Sequence, residues 1–168
     1  MIFGSTAFTL FHVALSLIGI VTGLVVVRGL IRNDPLSGWT LVFLVTTAAT
    51  TLTGFLFPFR GFTPAIGTGI VSTLVLVATI AARYAFHLAG PWRRIYVIGA
   101  VVSLYLNCFV LVVQAFLKVP ALHALAPQGN EPPFAIAQGI VLVLAVISGY
   151  LAVRRFRPVS AQRVLAAG

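Results

Sequence analysis

Five long apolar stretches, parted by short polar gaps, run through this chain, over about residues 4–27, 38–57, 65–87, 95–118 and 134–153. Each reaches the roughly 20 apolar residues that carry an α-helix across a bilayer. Membrane strands would be ~10 residues long with strict alternation, whereas these runs are continuous. The pattern predicts an all-α fold: a polytopic membrane bundle of five transmembrane helices, forming one domain over residues 1–158. A short basic cytoplasmic tail, 159–168, follows.

The connections carry turn chemistry. Asn33-Asp34-Pro35 turns the first helix into the second, with Ser37 expected as the N-cap. Pro58 to Pro64 makes a tight turn, and Gly90-Pro91 breaks the third helix from the fourth. The longest connection, Val119–Pro133, holds four prolines and is expected to contain an interfacial turn around Ala121–Ala126. No internal repeat is visible, and five spans do not divide into two equal halves, which argues against an inverted-repeat transporter.

Helical phase shows where the sparse polar residues point. At about 100° per residue, Tyr96, Ser103, Asn107, Gln114 and Lys118 share one face of the fourth helix within about 60°. Ser5, Thr9, His12, Ser16, Gly19 and Gly23 fall on one face of the first. Thr68, Ser72, Thr79, Arg83 and His87 occupy an arc of about 100° on the third. The second presents Thr40, Thr47, Thr51 and Gly54, and the fifth Gln138, Ala145, Gly149 and Ala152. Such stripes meet protein or water rather than lipid. Gly19-x-x-x-Gly23 matches the small-residue pattern that lets helices approach closely, either inside the bundle or between copies of the chain.

Composition agrees with the membrane reading: 60% of residues are hydrophobic and 8% charged, against about 25% charged in soluble domains. The net charge of +9 is informative through its placement. Arg28, Arg32, Arg83, Arg93, Arg94, Arg154, Arg155, Arg157 and Arg163 fall on one side of the span pattern, and only Arg60 and Lys118 on the other. This bias places the arginine side in the cytoplasm, and hence the N-terminus outside and the C-terminus inside. The same arginines are expected to set orientation and to touch anionic lipid heads. Trp92 and Tyr96 are expected at the inner headgroup level. No nucleic-acid-reading module accompanies the charge. The first span lacks a basic leader and is too long for a signal peptide, so it is read as retained. Cys108 is the only cysteine, which excludes an intrachain disulfide.

Depth adds a candidate site. With a rise of ~1.5 Å per residue, His12 lies about 12 Å below the outer boundary, Asn107 about 16 Å, Thr51 and Ser72 about 10 Å, and Gln114 and Gln138 about 6 Å. Together with Ser16, these residues outline an outward-facing polar pocket with Lys118 at its mouth. The competing reading is that the stripes are packing seams, since polar residues in membrane helices often bond to a neighbouring helix for about 0.6 kcal/mol. An ionisable residue within a span marks a functional hypothesis, which singles out His12; His87 belongs to the inner interface and His123 to a loop. His12 and His87 differ in depth by about 20 Å, too far to share a haem iron, and no metal-ligand spacing appears. Neither a metal nor a cofactor is expected. Asp34 and Glu131 are the only carboxylates and both lie in connections. Cation carriers and proton pumps keep an acid within the membrane, so a permeant species would be neutral or anionic. No nucleophile–base pair or paired carboxylates support catalysis.

The run Leu104–Leu122 (LYLNCFVLVVQAFLKVPAL), the sequence Glu131-Pro132-Pro133-Phe134, and Phe11-His12 with Leu15-Ser16 in the first span resemble a group of small proteobacterial multispan inner-membrane proteins that carry no assigned activity. The resemblance runs from the first span to the fifth. It implies a bacterial inner-membrane setting and assigns no catalytic or binding residue. The leading expectation is a structural or accessory membrane partner without chemistry of its own. Its partners would be the lipid bilayer and a second copy or another membrane protein. The alternative is a small transporter or pore for a neutral or anionic solute.

Overall fold

The computed structural model describes residues 6–57 and 64–157 and is helical throughout, with no strand among the described residues. Arg60, most of the Pro58–Pro64 turn, Ser5, Arg163 and the tail 159–168 lie outside the described residues. Helix α1 spans Thr6–Arg32, α2 Ser37–Phe55, α3 Pro64–Ile80, α4 Trp92–Lys118, α5 Pro120–Leu125 and α6 Pro132–Arg155. A π-helical turn over Ala81–Ala85 continues α3. Five helices are long and apolar enough to cross a membrane: α1, α2, α3 with its π-turn, α4 and α6. This is the architecture of a multi-pass membrane protein. The six-residue α5 supplies the short turn expected in the longest connection.

Helix boundaries follow the turn residues. Asn33 ends α1 in the left-handed conformation (φ 62°), and the Asp34 N–H returns to the Gly29 carbonyl at 2.8 Å, the kind of closure that satisfies the last carbonyls of a helix. Ser37 is not the N-cap of α2. That place belongs to Leu36, which offers no side-chain acceptor, and Ser37 is the first helical residue. Its hydroxyl instead accepts from Arg83 Nη2 at 3.1 Å. Pro91 precedes Trp92 at the start of α4, where the missing N–H of proline costs nothing. These helices extend past the limits of the apolar runs, so that Arg28 and Arg32 stand in the last turns of α1 and Arg93 and Arg94 in the first turn of α4.

Helices α1 to α4 pack in sequence order as a closed ring of neighbours, with α1 returning to α4, and α6 lies against the α1–α4 edge. Packing is uneven along the bundle. The core comprises Ile20, Val26, Val27, Leu30, Phe43, Leu44, Leu76, Ala82, Tyr96, Val97, Ala100, Val101, Leu104, Ala152 and Phe156. Every one of these lies toward the end that carries the arginines. Toward the opposite end, Phe116 and Ala126 are the buried apolar residues among those described. The outward faces carry rows such as Leu10, Leu17, Val21 and Leu24 of α1, and Ile136, Ile140, Val143 and Ile147 of α6. Water would not tolerate such continuous apolar surface; lipid does.

With lipid as the alternative neighbour, apolar side chains gain little by leaving it, so close approach of small residues holds such helices together. Gly19 and Gly23 supply that inside the bundle. A methyl at Gly23 would meet Phe43 Cε2 at 2.8 Å and Leu104 Cδ1 at 2.9 Å, and one at Gly19 would meet Thr47 Oγ1 at 3.2 Å. The Gly19–Gly23 seam is therefore spent on α2 and α4 and is not left over for a second copy of the chain.

Candidate functional site

Each polar stripe faces the bundle, but its members meet different fates along the helix. Toward the arginine end, the Ser103 hydroxyl is buried without a hydrogen-bond partner, whereas three buried threonines turn back on their own chain. Thr22 donates to the Ile18 carbonyl at 2.7 Å, Thr79 to Val75 at 2.6 Å and Thr40 to Pro35 at 3.2 Å. Such back-bonding satisfies a hydroxyl where no water reaches. Tyr96 is fully buried, 3.4 Å from Thr40 Oγ1, and tilts against Phe156. The π-turn carries the Arg83 guanidinium over the Tyr96 ring, 5.1 Å from its centroid, and roofs it. Trp92 is half-buried and stacks on Phe86 at 3.7 Å, while Trp39 stands exposed.

The arginine end is knitted across helices. Arg93 Nη1 donates to the Val153 carbonyl at 3.1 Å and to the Phe156 carbonyl, closing the C-terminus of α6. The Arg157 N–H donates to Asn33 Oδ1 at 2.6 Å, tying the ends of α6 and α1. Arg154 lies over the Tyr150 ring. Arg28, Arg32, Arg94 and Arg155 are exposed. Asp34, the carboxylate of this end, accepts from the Leu36 N–H. His87 departs from its expected stripe, because the π-turn and a left-handed backbone (φ 48°) send it out of the helix and into an exposed position.

Toward the opposite end, the stripes bond between helices. His12 Nδ1 lies 2.8 Å from Thr53 Oγ1 of α2, and its ring meets Phe57 edge-on at 5.2 Å. Asn107 Nδ2 donates to Thr47 Oγ1 at 3.2 Å, joining α4 to α2 beside Gly19. Gln138 Nε2 of α6 donates to the Phe109 carbonyl of α4 at 3.2 Å, leaving its Oε1 buried without a partner. Thr51 donates to the Thr47 carbonyl of its own helix. Ser16 and Gln114 are half-buried, Ser72 is buried, and Lys118 is exposed. The structure thus joins His12 to Thr53 between α1 and α2, joins Asn107 to Thr47 where α1, α2 and α4 meet, and sets Gln138 apart at the α4–α6 contact. Thr53 was missed by helical phase alone, because it lies off the Thr40–Thr47–Thr51 face; a histidine one helix away was the only signal that could have found it.

Beyond these helices, Glu131 precedes α6 with its carboxylate accepting from the Gln128 N–H at 2.9 Å and the Asn130 N–H at 3.0 Å. These backbone donors, Gln128 first, hold its carboxyl below the ordinary glutamate range. Among the described residues, no group of three His, Cys, Asp or Glu side chains gathers as a metal site would require. Comparison with protein-family models, with curated proteins and with solved structures finds no match to this chain.

Proposed function

We propose that this protein is a bacterial inner-membrane bundle, N-terminus outside, that admits a small neutral or anionic solute into an outward-facing polar cleft, as a small transporter or pore. The observation that carries this reading is the mismatch between packing and polarity. Buried apolar side chains fill the arginine end, whereas His12, Ser16, Thr51, Asn107, Gln114 and Gln138 are only partly buried in the opposite half. A polar lining without a tight core is what a solute path needs, and a dry, closed base beneath it would hold the solute on one side. Lys118 stands exposed near the mouth. The inward placement of the arginine end rests on the charge bias, and the bacterial setting on the resemblance.

A second reading, an accessory partner without a path, is supported by the bonds themselves. His12–Thr53, Asn107–Thr47 and Gln138–Phe109 each link two helices, as packing seams do. Labelling separates the two. In a Cys108→Ser background, Asn107→Cys and Gln114→Cys should react with a membrane-impermeant maleimide added outside intact cells. Protection of both positions, with labelling of a loop control such as Gln128→Cys, would leave only the accessory reading.

A further inference from the structure

We propose that His12 offers a bare Nε2 lone pair to this cleft and selects a neutral solute that brings a hydroxyl or amide hydrogen; this rests on the cleft reading above. The argument begins at Thr53. Its hydroxyl donates to the Ala49 carbonyl at 2.7 Å, with the Thr50 carbonyl at 3.1 Å. Carbonyls only accept, so the single hydrogen of Thr53 is already used. At 2.8 Å from His12 Nδ1, the Thr53 oxygen can therefore only accept, and the hydrogen between them belongs to Nδ1. A neutral imidazole carries one N–H. Nε2 is then an acceptor, and among the described residues it has no hydrogen-bond partner. Phe57 holds the ring edge-on at an interplanar angle of 87°. Gly54 keeps the wall beside it low, since a methyl there would stand 3.6 Å from His12 Cε1.

Elsewhere in the same half, Asn107 and Gln138 each spend one N–H on a protein acceptor, and Gln138 Oε1 is left without a partner. At His12 Nε2 and at Gln138 Oε1 a ligand can pair only by donating, and a ligand lacking the hydrogen leaves these acceptors unpaired. An anion would set lone pair against lone pair at Nε2. An organic cation would find no carboxylate to pair with in the spans, since Asp34 and Glu131 both lie in connections. A neutral hydroxyl or amide avoids both.

The test uses the full chain in phosphatidylethanolamine–phosphatidylglycerol vesicles. With 15N-labelled histidine at about pH 8, above the usual imidazole pKa near 6.5, the His12 signals are those absent from His12→Asn. We expect a protonated Nδ1 and a bare Nε2 in the wild type, and loss of that preference in Thr53→Val. Flux of glycerol, acetate and methylammonium is then measured above protein-free vesicles. Glycerol should pass and the two ions should not. His12→Asn keeps an amide donor for Thr53 but its remaining acceptor, Oδ1, stops short of the Nε2 position, and it should lower glycerol flux by up to about tenfold, the effect of one hydrogen bond. A wild-type His12 protonated on Nε2 overturns the proposal. So does unchanged glycerol flux in His12→Asn when Gln114→Ala lowers it, and in that case the cleft itself stands. Passage of acetate in preference to glycerol overturns the solute class. Failure of all three probes to pass overturns the cleft and this inference with it.

Discussion

At the scale of single residues, the tightest contact in the bundle is between Gly99 of α4 and Thr79 of α3. A methyl on Gly99 would fall on Thr79 Oγ1 and Cβ, well inside van der Waals contact. Thr79 is fully buried and its hydroxyl is held by the Val75 carbonyl, so it has no free rotation with which to yield. Gly99→Ala is therefore expected to destabilise the protein by about 1–3 kcal/mol, the usual cost of overpacking. Measured as the denaturation midpoint in detergent, most of that loss should return in the double variant with Thr79→Ala, since residues in contact couple. Equal losses with and without Thr79 would mean that something other than this contact makes the glycine necessary. Gly99 illustrates how little a sequence says about one position: no periodic pattern marks it, and only the approach of a second helix gives it a role. His12 is the opposite case, since an imidazole in an apolar run is conspicuous, yet the identity of its partner, Thr53, depends on which turn of α2 lies alongside.

Among elements, α6 differs most from the rest. It buries Ala152 and little else, and its apolar rows face outward on several sides. It is held at two levels: by Gln138 on the Phe109 carbonyl, and by Arg93 on the carbonyls of Val153 and Phe156. Helix ends leave carbonyls unpaired, and a guanidinium placed there satisfies them while opposing the negative end of the helix dipole. Arg93→Ala should therefore loosen the end of α6 without unfolding the bundle. Hydrogen exchange of the amides from about residue 152 to 157 should accelerate about tenfold, as for loss of about 1.4 kcal/mol of local stability, while the Val97–Leu104 segment of α4 stays protected. If both segments accelerate together, the arginine supports the whole bundle rather than one end. The π-turn of α3 is the other element-scale feature. By adding a residue to the turn, it brings Arg83 over Tyr96 and within reach of Ser37, so that three helices share one cation. That register change is illegible in a regular 100° count, which places His87 on the stripe.

For the whole molecule, charge and packing run along the same axis. The arginines, the buried core and the linked helix ends lie at one pole; the partly buried polar side chains lie toward the other. If the charge bias sets orientation, single cysteines at Asp34 and at Gln128 in a Cys108→Ser background should label from opposite sides of the membrane: Asp34→Cys only after the cells are opened, Gln128→Cys in intact cells. Reversed labelling would turn the cleft toward the cytoplasm and invert the direction from which a solute enters. The same experiment reports on the five-span count, because these two loops face opposite sides only when an odd number of spans lies between them.

Much of this architecture is a local property. The apolar runs are long enough to span, so the five helices and their approximate ends are legible from hydropathy, and the 3.6-residue repeat turns every polar stripe toward the bundle whatever the helices pack against. Gly19 and Gly23, Asn107 and Gln138 all sit where that phase put them. Pairing is not local. Which hydroxyl meets His12, which carbonyls Arg93 closes, and whether the Gly19–Gly23 seam serves the bundle or a second copy depend on the neighbour order and axial offset of separate helices. A regular repeat carries no information about either, and it fails at His87, beyond the π-turn that breaks it; the N-cap expected at Ser37 fails for a separate reason, the left-handed Leu36 that takes its place. The uneven packing along the axis is likewise a product of the assembled helices: each apolar run alone is uniform, and only their convergence at the arginine end separates a closed base from a polar upper half.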